Sequence, residues 1–84
     1  MRRSDCKVGG LYRVTPSPGM PNRSVLVSAK SGGHELVGVC SVSPDEIILL
    51  IAIQEDYDEH SAYEMIGLLG DRFLFVRPGW IKKV

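Results

Sequence analysis

The side chains in this sequence that could carry out nucleophilic attack, proton transfer or metal binding are few and scattered. His34 and His60 are its two histidines, and Cys6 and Cys40 its two cysteines. A catalytic thiol needs a base within hydrogen-bond reach and a third group to orient that base. Cys40 lies mid-strand in a valine-rich stretch, where a buried, structural thiol is expected. Cys6, beside Lys7 near the chain start, reads as a surface thiol without a role. His60 ends the run Glu55-Asp56-Tyr57-Asp58-Glu59-His60, whose carboxylates could hold a hard cation, but the Asp-x-Asp-x-Asp-Gly order of a calcium loop is missing. A solvated acidic loop is the reading. Gly9-Gly10 and Gly32-Gly33 lack the lysine and hydroxyl of a phosphate loop and read as turn residues. No catalytic residue, metal site or cofactor is expected, and an enzyme is not.

Two other groups of side chains could bind rather than react. Trp80, close to Arg77 and Lys82, could stack on a base, anchor a protein partner, or plug one end of a barrel. Tyr57, Phe73, Phe75, Arg77 and Trp80 form the candidate partner-binding set. Arg2, Arg3, Lys7, Lys82 and Lys83 could contact phosphates, and of these Arg2, Arg3, Lys82 and Lys83 are the candidate nucleic-acid contacts. Ten basic and ten acidic residues leave the chain with zero formal charge, so such binding is expected to be weak and salt-sensitive.

The elements that must position these residues are short strands. Eighty-four residues form one domain, 1–84, near the lower size for a self-sufficient core. Around Leu11 the sequence alternates, with Val8, Tyr12 and Val14 on one face and Leu11, Arg13 and Thr15 on the other. Three prolines between Pro16 and Pro21 then impose a loop. Val25 to Ala29, Leu36 to Val42 and Ile47 to Ile53 read as further strands, separated by Lys30 to His34 and by Ser43-Pro44-Asp45-Glu46. Residues 62–69 fit either a strand or a helical stripe, and Gly67 with the Gly70-Asp71 pair favours a strand entering a type II′ hairpin. Arg72 to Val76, a 3₁₀ turn over Arg77-Pro78-Gly79, and Ile81 to Val84 complete seven strands, an all-β pattern that suits a small barrel. Pairing of the first and last strands would bring Arg2, Arg3 and Lys7 near Lys82 and Lys83.

From Ile47 onward, the order of elements resembles the SH3-like barrel superfamily: an apolar strand, a polar loop, the Tyr63 to Val76 hairpin around Gly70-Asp71, the break Arg77-Pro78-Gly79-Trp80 and the strand Ile81-Lys82-Lys83-Val84. The resemblance implies a small, mostly antiparallel barrel. Leu11-Tyr12 sits where eukaryotic SH3 domains carry an aromatic ligand-binding motif, but the proline-rich loop replaces the acidic stretch that normally follows. No tryptophan opens the strand at Ala62, so a proline-peptide groove is not expected. In size and lack of enzyme motifs the chain is similar to small SH3-like proteins of bacteria and phages, which commonly bind a host protein or nucleic acid.

The strongest pointer to function is an excess of apolar residues. Ile47 to Ile53 and Phe73 to Val76 are hydrophobic at successive positions, whereas a strand with one wet face should alternate. Either loops cover the outer face or apolar side chains await a partner. The expectation is a non-enzymatic, cytoplasmic protein-binding module of the bacterial or phage accessory kind, able to form a homodimer, with nucleic-acid binding through the basic termini and Trp80 as the alternative. The longest apolar run spans residues 47–53, far short of the roughly 20 residues of a membrane-spanning helix, and the N-terminus lacks a signal-peptide core.

Overall fold

In the computed structural model of the chain, residues 2–28, 36–54 and 63–84 are described. Seven strands form one antiparallel sheet: β1 Leu11–Val14, β2 Arg23–Ser28, β3 Leu36–Val42, β4 Ile47–Ile53, β5 Met65–Leu69, β6 Arg72–Val76 and β7 Ile81–Lys83. Their order across the sheet is β3-β2-β6-β5-β4-β1-β7. Single 3₁₀ turns stand at Arg3–Asp5 and Pro78–Trp80, and no α-helix occurs among the described residues.

The all-β expectation holds, and so does a strand rather than a helix at β5. The β5–β6 connection explains why. Leu69 pairs with Arg72 across a two-residue turn in which Gly70 has φ 61° and Asp71 has a negative φ. That is the sign pattern of a II′ turn, which needs glycine first. Proline at the first position then favours the 3₁₀ turn Pro78–Trp80, because its missing N–H has no intrahelical partner to lose.

Side chains from all seven strands meet in one core: Tyr12 and Val14, Val25, Val42, Ile48 and Leu50, Met65, Leu74 and Val76, and Ile81, with Cys6 at its margin. A flat sheet could not bring β3 and β7 to the same cluster, so the sheet is strongly coiled. The Tyr12 hydroxyl accepts the Lys7 N–H at 2.9 Å, so this large ring is buried without leaving its oxygen unsatisfied. Gly67 sits directly against Ile48, where an added Cβ would lie 3.0 Å from Ile48 Cδ1. In β4 the register shifts between Leu50 and Ala52, a bulge that puts Ile48, Leu50 and Ile53 on the core side. The extra residue at the bulge is Ile51, whereas Ile47 and Leu49 face away from the core.

First and last strands pair as expected, with Val14 opposite Ile81 and Arg13 opposite Lys82. The sheet is nevertheless open, because β3 and β7 form its two edges and no ladder joins them among the described residues. Side chains span the seam at one end instead. Arg23, at the start of β2, donates from Nε to the Thr15 carbonyl at 2.6 Å and from Nη2 to the Pro16 carbonyl at 3.2 Å. Its guanidinium carbon lies 4.9 Å from the Trp80 ring centroid.

Candidate functional site

The registers of the sheet place a row of side chains on the face opposite the core. Leu11 of β1 faces Leu49 of β4, Leu49 faces Leu68 of β5, and Leu68 faces Phe73 of β6. Phe73 in turn faces Ser28 of β2, which faces Leu36 of β3. At the other end, the Val84 N–H reaches the Leu11 carbonyl at 3.4 Å and extends the row beyond β7. Ser28 is the one polar member and is buried. Leu49, Leu68 and Phe73 are half-buried, whereas Leu11, Val84 and Leu36 are exposed by 52%, 59% and 49%. Beside this row, Arg13 stands between Ile47 and Lys82 on the same face. Two like charges directly opposite each other favour an anionic group between or over them.

Part of the outer face is already covered. Phe75 and Ile66 pair across β5 and β6 on this face, and both are fully buried. The Tyr63 ring meets Phe75 edge to face, with centroids 5.0 Å apart and planes at 89°. Phe75 is therefore a packing residue and not a docking side chain, contrary to its place in the candidate set.

The other candidates separate. Phe73 lies in the outer row, but Arg77 is four residues further along extended chain, about 13 Å at the usual rise per strand residue. Trp80 is half-buried, packs against the core and has the Arg23 and Arg77 guanidinium carbons 4.9 Å and 5.6 Å from its ring centroid. Its carbonyl accepts from the Thr15 N–H at 2.6 Å and the Thr15 hydroxyl at 2.9 Å. Burial pulls the Arg23 pKa below the ordinary arginine value. These contacts hold Trp80 at the seam. Tyr57 lies outside the described residues, as do His34, His60 and the acidic loop.

Of the N-terminal cations expected near Lys82 and Lys83, Arg3 is held elsewhere. Arg3 donates from Nη2 to the Gln54 carbonyl at 3.0 Å, and its Nε lies 3.4 Å from Oε1 of the buried Glu64. Gln54 lies beyond the far end of β4, about 20 Å of strand from the Ile47–Arg13–Lys82 row. Burying a carboxylate is costly without a cationic partner, and that cost draws Arg3 inward. Around this contact the Gln54 N–H donates to the Glu64 carbonyl at 2.7 Å, and Gln54 Nε2 donates to the Tyr63 carbonyl. Arg2, Lys82 and Lys83 remain exposed.

Cys6 is buried where a surface thiol is expected, and Cys40 is partly buried against the core. Cys6 is buried and its Sγ donates to the Arg2 carbonyl at 3.4 Å, because the 3₁₀ turn folds it onto the core. Cys40 is half-buried on the edge strand β3. Burial, reinforced by the Asp5 and Glu64 carboxylates, pushes the Cys6 thiol above its ordinary value of 9.0. A thiol so protonated is a poor nucleophile. Among the described residues no group of three or more His, Cys, Asp or Glu side chains could hold a metal ion, and no helix is long and apolar enough to cross a membrane.

Sequence reasoning missed Arg13 and Arg23. Alternation already put Leu11 and Arg13 on the face away from Tyr12 and Val14, but their neighbours depend on cross-strand register. Nothing local connects Arg23 to Trp80. Comparison with known proteins returns no match to this chain, whether family model, curated sequence or solved structure.

Proposed function

We propose that this chain is a non-enzymatic docking module whose outer sheet face binds a protein partner presenting apolar side chains with acidic residues beside them. The observation that carries the reading is the row Leu36, Ser28, Phe73, Leu68, Leu49, Leu11 and Val84, apolar except for the buried Ser28, half-buried in its middle and exposed at both ends. Neighbouring exposed apolar side chains, as Leu11 and Val84 are here, mark interaction surfaces more often than isolated ones do. Arg13 and Lys82 beside the row supply the charge that selects an acidic rim on the partner. Its size suits an accessory protein of the bacterial or phage kind. The hairpin, the 3₁₀ turn and a terminal strand paired with β1 follow the element order on which the SH3-like resemblance rests, and the open seam between β3 and β7 departs from a closed barrel.

Affinity capture with matched variants tests the docking reading. A partner retained by the wild-type chain should be lost with Leu11→Glu and weakened by Arg13→Glu, while circular dichroism of both variants stays native. Equal retention by Leu11→Glu would exclude the outer face. The opposed pair Arg13 and Lys82, with Lys83 next to it, favours nucleic acid as a second reading. That reading requires an affinity for a single-stranded or duplex probe that falls steeply with salt and is abolished by Lys82→Glu.

A further inference from the structure

The two edges of the sheet differ in length, charge and exposed apolar surface. β7 is three residues long, includes Lys82 and Lys83, and has Arg13 directly opposite Lys82. Short length and edge lysines are the usual protection against pairing with another chain. β3 has seven residues, Leu-Val-Gly-Val-Cys-Ser-Val, with no charge and no proline. Among the described residues its one partner strand is β2, and the backbone groups on its other side, every second N–H and C=O, are those a further strand would take. Leu36, Val37 and Val39 are exposed by 49%, 69% and 65%.

We propose that this edge pairs with β3 of a second copy of the chain, antiparallel about a two-fold axis at Cys40, joining two seven-stranded sheets into one. Charge and symmetry select that occupant. Two copies of β3 meet without like charges opposed, whereas β7 against β7 would set Lys82 and Lys83 against themselves. A β3-to-β7 contact would leave one uncharged edge open at each step and grow a filament, while β3 against β3 closes and removes both.

The bulge fixes the register. Val27 pairs with Gly38 but Ser28 with Leu36, so Val37 is the extra residue and the regular stretch is 38–42. Its midpoint is Cys40. Full overlap of that stretch sets Gly38 against the partner's Val42, Val39 against the partner's Ser41 and Cys40 against the partner's Cys40. One strand edge buries less than the roughly 800 Å² per partner of a standard interface, so the dimer is a reversible one.

Light scattering after gel filtration in reducing buffer, at about 10 µM to about 1 mM protein, covers the dissociation range of a contact of this size. The mass should rise from 9.3 kDa towards twice that value with concentration. Val39→Lys should remain monomeric throughout, and Leu11→Glu should dimerise like the wild type, which separates this edge from the outer-face reading. A short bis-maleimide, adding one thiol across each of its double bonds, should cross-link the wild type and Cys6→Ser but not Cys40→Ser. A monomer at the highest concentration, an unaltered dimer in Val39→Lys, or cross-linking that survives Cys40→Ser would overturn the inference.

Discussion

Gly67 and Ile48 offer a test in which the sign of an effect should reverse. An alanine Cβ at position 67 would stand 3.0 Å from Ile48 Cδ1 but 3.5 Å and 3.6 Å from Ile48 Cβ and Cγ1. Only the first contact is too close. Ile48 is fully buried, so its Cδ1 has little room to retreat, and overpacking of this kind costs about 1–3 kcal/mol. Against that, alanine restricts the unfolded chain and regains about 0.5–1 kcal/mol relative to a mid-strand glycine. Gly67→Ala should therefore destabilise, by up to about 2.5 kcal/mol. Ile48→Val removes Cδ1 and by itself costs about 0.5–1.5 kcal/mol. In that background the clash is gone, and Gly67→Ala should stabilise by about 0.5–1 kcal/mol. Urea unfolding of the four proteins, with slopes compared to confirm an unchanged unfolded state, gives the double-mutant cycle. Additive effects would show that β4 and β5 are not packed in this register.

Three further outcomes are expected. Leu11→Glu should alter unfolding free energy by no more than about 0.5 kcal/mol, because Leu11 is half-exposed on the outer face; a larger loss in a denaturant titration would mean the row is structural. Arg23→Lys, which loses the two-carbonyl geometry at Thr15 and Pro16, should lower the thermal midpoint by roughly 4–8 °C per kcal/mol lost. Calorimetry showing no change would leave the seam without its clamp. Cys6 binds its proton more tightly in the folded state, so its contribution to stability is complete below its ordinary pKa of 9.0 and declines as pH rises past that value. Cys6→Ser should show a flatter stability profile above pH 9, and parallel profiles would contradict the burial of this thiol.

What the sequence reveals here is mainly local. Alternation around Tyr12 and Val14, the Gly70-Asp71 turn and the Pro78 break are written in neighbouring residues, and each sets backbone conformation directly. Cross-strand register is not local. The row from Leu36 to Val84 exists because of pairings between residues far apart in the chain, so Leu49 and Leu68 could be seen as apolar but not as neighbours. Phe75 shows the same limit from the other side. Its strand is apolar at four successive positions, Phe73 to Val76, and the Tyr63 contact marks the covered ring against the half-buried Phe73. A terminal arginine such as Arg3 looks solvated in the sequence, and only the fold shows the buried carboxylate of Glu64 beside it.

The claim that the outer face docks a protein is tested most directly by site-specific photo-cross-linking in cells. A benzoylphenylalanine at position 11, within the row, is compared with one at position 18, where Pro18 is exposed outside any strand. The account predicts a discrete higher-mass adduct from position 11, weakened by Arg13→Glu, and none from position 18. No adduct from position 11, or the same adduct from both positions, would contradict it.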